Sequence, residues 1–65
     1  MNPVESTPPS LLTRREAARF LSVSERQVWN LQNDGRLPHV RIGRSVRFRV
    51  TDLEAFVASR TVKAR

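Results

Sequence analysis

The chain has 65 residues, enough for one small domain that buries only about 60% of its unfolded surface, so multi-domain readings are excluded and the core must be small. Twelve Lys and Arg against six Asp and Glu leave a net charge of +6, which favours a polyanionic partner, nucleic acid ahead of an anionic membrane surface. With no Cys and a single His39, disulfide, thiol and zinc chemistry are excluded and neither metal nor cofactor is expected.

The first ten residues carry Pro3, Pro8 and Pro9 with little apolar content, which predicts a disordered arm over 1–10. The predicted folded unit spans 11–60, and 61–65 is a basic tail with Lys63 and Arg65. Within the unit, Thr13 with Glu16, Ser24 with Gln27 and Thr51 with Glu54 each place a hydroxyl three residues before Glu or Gln. Each pair reads as a capping box opening a helix. The first helix is predicted over 14–21, with Ala17, Ala18 and Leu21 inward, and the second over 25–34, ended by Gly35. Val23 and Val28 are placed to form a hydrophobic staple at the second helix's entry. Only Ser22, Val23 and Ser24 separate the two, the spacing of a helix-turn-helix.

After Gly35 the apolar period becomes two, with Val40, Ile42, Val46 and Phe48 alternating with Arg41, Arg47 and Arg49. A three-residue loop of Gly43, Arg44 and Ser45 would set Ile42 opposite Val46 and Val40 opposite Phe48 on the buried side. Arg41 would then oppose Arg47 on the outer side, a repulsive pair that an anionic ligand would relieve. A third helix over 52–60 brings Leu53, Phe56 and Val57 to the core. The expected fold is mainly α with a β-hairpin wing: a winged helix-turn-helix of order α-α-β-β-α.

On the second helix, Val28 and Leu31 mark the buried direction, with Arg26, Asn30 and Asn33 nearly opposite and Trp29 on the flank of the exposed face. Arg26 can pair with guanine, Asn30 and Gln27 with adenine, and Glu25 with cytosine, while Trp29 can pack on sugar-phosphate or a thymine methyl. Other readings stand beside these. The polar face could be simply solvated, Gln27 could be engaged in its cap, and Trp29 could anchor a protein partner. Arg36, Arg41, Arg44, Arg47 and Arg49 follow one another without an acid, which suits phosphate contacts but also a soluble, aggregation-resistant edge. The candidate DNA-contacting set is Arg14, Ser24, Glu25, Arg26, Gln27, Trp29, Asn30, Arg41, Arg44 and Arg47. No carboxylate pair, Ser-His arrangement or phosphate-cradling glycine loop points to catalysis, so an enzyme is not expected. No charged leader or apolar run of about 18 residues is present, and a cytoplasmic protein without membrane contact is expected.

Leu12-Thr13, Glu16-Ala17-Ala18, Leu21-Ser22-Val23-Ser24, Val28-Trp29, Leu31, Gly35-Arg36-Leu37-Pro38, Arg41-Ile42-Gly43-Arg44, Arg47-Phe48 and Asp52-Leu53-Glu54-Ala55-Phe56 together resemble the excisionase-type DNA-binding domains related to the MerR helix-turn-helix. The likeness covers nearly the whole predicted unit. It implies a small double-stranded-DNA-binding protein of a bacterial prophage or integrative element, nucleoid-associated, which acts as a recombination directionality factor steering an integrase or as a transcriptional regulator. It also implies that the second helix enters the major groove while the wing arginines Arg41, Arg44 and Arg47 reach the minor groove or phosphates. Ser22, Gln27, Trp29 and Asn30 depart from the family's usual glycine, threonine, tyrosine and arginine, so base preference does not carry over at Gln27 or Asn30. With little chain after the third helix, a monomer in solution is expected that assembles head to tail and cooperatively on DNA. The rival of a different class is an adaptor that binds an acidic protein.

Overall fold

The computed structural model describes residues 10–62. Its elements run β1 (Leu11–Leu12), α1 (Arg14–Leu21), α2 (Glu25–Asn33), β2 (Val40–Ile42), β3 (Ser45–Arg49) and α3 (Val50–Arg60). The winged helix-turn-helix is present, with an addition that sequence analysis lacked. Leu11 and Leu12 pair antiparallel with Arg49 and Phe48, and the hairpin becomes a three-stranded sheet of order β1-β3-β2. The predicted arm lies outside the described residues except for Ser10, whose carbonyl accepts from the Val50 N–H at 3.1 Å. Lys63 and Arg65 of the predicted tail also lie outside them.

The three expected capping boxes have three different outcomes. At α1 the box is complete: Thr13 Oγ1 accepts from the Glu16 N–H at 3.1 Å, and Glu16 Oε1 accepts from the Thr13 N–H at 2.9 Å. At α2 only half forms, since Ser24 Oγ accepts from the Gln27 N–H at 3.0 Å and Gln27 makes no return bond. Gln27 is therefore not engaged by its cap. At α3 the Thr51–Glu54 box is absent because the helix starts earlier, at Val50, with Arg49 as the cap residue and no side-chain cap. The exit of β3 decides that start, for the Val50 N–H is already held by Ser10. Asp52 then lies in the first turn, favourable for a carboxylate near the positive end of the helix, and accepts from Arg49 Nε at 3.0 Å.

Both helices of the helix-turn-helix end in the same hydrogen-bonded device. After α1, the Val23 N–H donates to Ala18 O at 3.0 Å and the Ser22 N–H to Arg19 O at 3.2 Å. After α2, the Arg36 N–H donates to Leu31 O at 3.0 Å and the Gly35 N–H to Gln32 O at 3.2 Å. These are Schellman caps, which require a left-handed residue at the turn. Gly35 supplies it at φ 75°, whereas at the first turn the left-handed residue is Ser22, at φ 59°.

The hairpin differs from its expected register. Ile42 pairs with Ser45, Arg41 with Val46 and Val40 with Arg47, so the loop is the two residues Gly43 and Arg44. Gly43 has φ 61°, and a glycine at the first central position favours a tight turn whose twist matches the strands. Turn chemistry thus prevails over the apolar pairing that a three-residue loop would have given. The one-residue shift separates the two arginines expected to oppose each other: Arg41 shares a face with Val46, and Arg47 shares the other face with Val40. Ile42, expected on the buried side, is 55% exposed, and Val40 is only half-buried.

The core is Leu12, Ala17, Ala18, Val28, Leu37, Phe48 and Leu53, with no buried polar or charged residue among those described. Leu12 and Phe48 are cross-strand partners on the inner face of the sheet, against which α1 and α3 pack. Val23, the staple residue, and Phe56 pack against this cluster, while Val57, expected in the core, is exposed. Leu37 had no periodic signal because it lies in the connection after α2, where its N–H donates to Leu31 O at 3.2 Å.

Ser22→Gly should raise stability by about 0.5–1 kcal/mol, since a left-handed conformation costs a side-chain-bearing residue more than it costs glycine. A melting temperature several degrees higher would show it; an unchanged or lower one would mean that Ser22 carries no strain. The N–H of Thr13 and its hydroxyl hold Glu16 below the ordinary carboxylate value of 4.5, helped by the charges of Arg47 and Arg19. A depressed folded-state pKa contributes stability that is present above the unfolded value and lost as pH falls through the folded one. Glu16→Gln should accordingly flatten the acid limb of the stability profile below about pH 4.5, as read from thermal melts across that range.

Candidate nucleic-acid interface

α2 presents the face its helical period implies. Arg26, Asn30 and Asn33 are exposed while Val28 is fully buried, and the Asn30 side chain makes no hydrogen bond among the described residues. The Val28 anchor therefore fixes which side chains α2 offers outward. Trp29 is 43% exposed, and its flanking position is not left bare: the Arg26 guanidinium carbon lies 5.5 Å from the indole centroid. An i, i+3 stack of this kind holds a cation against a π-face and limits the rotamers of both side chains.

Beside this stack, Arg14 at the start of α1 and Glu25 at the start of α2 complete a cleft lined by Arg14, Glu25, Arg26 and Trp29. Four of the ten candidate residues are thereby brought together from two helices. Arg14 is braced by a bond that sequence analysis missed, with a terminal nitrogen donating to Gln32 Oε1 at 3.2 Å. Its Nε is buried with no hydrogen-bond partner among the described residues. Gln32 lies one turn past Val28 at the edge of the buried stripe, and helical spacing alone could have flagged it. Ser24 is exposed with its oxygen accepting the α2 cap bond, which leaves its O–H free to donate. Gln27 is separated from this group, for its side chain lines a different groove with Leu21 and Leu31.

The wing arginines are distributed rather than paired. Arg41 and Arg47 lie on opposite faces of the hairpin and Arg44 at its tip. Arg47 is half-buried, donating to Val46 O at 2.9 Å, whereas Arg41 and Arg44 are exposed. Two of the five arginines in the acid-free run leave the group altogether. Arg49 is tied to Asp52, and Arg36 borders the groove that Gln27 lines. His39 stays on the surface, its ring tilted 6.5 Å from that of Phe48.

Two helices joined by a tight turn, the second outward and arginine-bearing, beside a basic hairpin, define a DNA-binding module. The chain belongs to the helix-turn-helix domain family, whose model matches residues 11–61. No curated protein and no solved structure gives a significant match. No described helix is long and apolar enough to cross a membrane, and no group of metal-binding side chains occurs among the described residues.

With Arg41 and Arg47 on opposite faces, the repulsion expected from their direct opposition is gone. Arg47→Gln should then lower the melting temperature slightly, a loss of about 0.5–1 kcal/mol, since the variant gives up the hydrogen bond to Val46 O and the charge that helps hold Glu16. A clear rise in stability would restore the opposed pair and contradict this register.

Proposed function

We propose that this protein is a sequence-specific binder of double-stranded DNA of the excisionase type, an architectural factor that steers an integrase in site-specific recombination. The observation that carries the DNA-reading mode is the Arg26–Trp29 stack on the exposed side of α2, beside Arg14. A guanidinium held against an indole is presented for bidentate pairing with guanine, and the indole edge packs on the sugar-phosphate. Asn30 reads an adjacent adenine, Glu25 accepts from a cytosine amine, and Arg14 and Ser24 hold phosphates. Gln27, turned toward the neighbouring groove, is the weakest member of the set.

The wing supports the same reading. A narrow finger with Arg41 on one face, Arg47 on the other and Arg44 at the tip suits a minor groove, whose two walls are both phosphate-lined. The recombination role is supported by the resemblance of the sequence motifs to excisionases and by the economy of the module. One helix and one wing read only a few base pairs, so useful discrimination needs several copies on neighbouring sites. The proposed assembly is head to tail along the duplex, built from protein that is monomeric in solution.

Arg26→Ala should weaken specific binding by about 1–3 kcal/mol and flatten the preference among sites, whereas Trp29→Ala, which keeps the guanidinium but loses its support, should lower affinity on all duplexes and blunt the preference only in part. Selection from a randomised duplex pool with each variant separates the two roles, and an unchanged base preference in Arg26→Ala refutes the assignment. Binding should weaken with salt at a log-log slope between about −4 and −6, as expected for some four to seven phosphate contacts. Band shifts on duplexes with one, two and three sites, with and without an integrase, test the role itself. Cooperative filling and altered integrase occupancy support it, while non-cooperative filling with no effect on integrase favours a simple transcriptional regulator.

A further inference from the structure

Across α2 from the Trp29 cleft, the helices leave a groove of about 360 Å³, which of the candidate DNA-contacting residues only Gln27 borders. Its floor is apolar, made of Leu21, Val23, Leu31 and Phe56, which are all half-buried on the rim of the core. Its polar edge is Gln27, Arg36 and Arg60, with no carboxylate among the lining residues. The Arg60 guanidinium carbon lies 5.3 Å from the Phe56 centroid, so a cation directly borders the apolar floor. Arg36 and Arg60 have no ion pair among the described residues.

The groove and the DNA face diverge by the geometry of α2. At about 100° per residue, Gln27 lies about 100° and Leu31 about 140° around the helix from Arg26. A duplex laid on Arg26, Asn30 and Asn33 is thus turned away from the groove floor. Its apolar floor also disfavours DNA, whose sugar-phosphate backbone brings no bulky apolar group to fill it. The volume falls within the range that seats a small ligand or one or two side chains. Charge complementarity then selects the occupant: an apolar floor wants an apolar anchor, and two unpaired guanidiniums want carboxylates beside it.

We propose that this groove is a docking site for an acidic peptide segment of a partner protein, with a bulky apolar side chain on Leu31 and Phe56 and flanking carboxylates on Arg36 and Arg60. The site goes beyond the DNA-binding reading and operates on a different surface, so one molecule holds duplex and partner at the same time. It converts a small DNA-binding module into a recruiter.

The test uses the full chain and a labelled short peptide of glutamates around a central Leu-Phe pair, followed by fluorescence anisotropy with and without saturating duplex. The peptide should bind equally well in both cases. Binding should fall at least about fivefold when the glutamates become glutamines, and likewise in the Arg36→Gln/Arg60→Gln variant, which loses two solvent-exposed ion pairs. It should fall further when Leu-Phe becomes Ser-Ser. Because Arg36 and Arg60 are exposed, the variant should keep the parent melting temperature and duplex affinity within about threefold. Amide shifts in the unaltered protein should map to Leu31 and Phe56. The proposal is overturned if the variant or the Ser-Ser peptide binds undiminished, if the shifts map to Trp29 or the wing, or if duplex displaces the peptide. Displacement together with loss of duplex affinity in the variant would assign the groove to the DNA backbone instead. Failure of the DNA-binding reading, by contrast, would appear as weak duplex binding by the parent protein whatever the peptide does.

Discussion

The structure depends on a very small core. Seven buried side chains hold it, contributed by β1, α1, α2, the connection after α2, β3 and α3, and the largest of them, Phe48, is wholly enclosed. With so few anchors, each element is oriented by one or two contacts: α2 by Val28, α3 by Leu53, the sheet by Leu12 and Phe48. The outward faces follow from those anchors. Arg26 faces solvent because Val28 cannot, and the wing projects because β2 contributes no buried residue at all.

The same economy explains where the charge lies. Among the described residues a single ion pair forms, Arg49 with Asp52, and the capping Glu16 is the only acid held in a double hydrogen-bonded arrangement with its cap. Most arginines are therefore left without a carboxylate partner, which costs the folded state some self-repulsion and leaves a strong positive field for a polyanion. The Arg26–Trp29 and Arg60–Phe56 stacks hold two of these cations by aromatic faces instead of by acids. A guanidinium held in this way keeps its hydrogen-bonding edge available, which a salt bridge would occupy.

Legibility in the sequence tracked how local each determinant is. The two helices of the helix-turn-helix, their turn and the exposed face of α2 all follow from three- and four-residue spacings, and the spacing signal is reliable because nothing distant competes with it. The start of α3 was misread because a Thr–Glu spacing is blind to the Val50–Ser10 hydrogen bond, which unites residues far apart in the chain. The hairpin register was misread for the opposite reason: an apolar alternation was followed where a local glycine turn decided the pairing. β1 left no trace because two residues are too short to show a period. Of the interface, the i, i+3 spacing of Arg26 and Trp29 was in plain view, while the cleft they share with Arg14 needed the packing of α1 on α2 to bring it together.

β1 carries a consequence for how the molecule folds. Leu12 meets Phe48 across 36 positions of chain, and everything between them is helix, turn or hairpin that can form by local contacts. Closing so long a loop is entropically costly before the intervening elements have compacted, so this pairing belongs late in folding. Until it forms, Phe48 has lost its cross-strand neighbour and the largest core side chain is incompletely covered. The two-residue strand thus acts as a latch: helices and wing assemble early, but their relative placement becomes permanent only when the beginning of the domain closes over its middle.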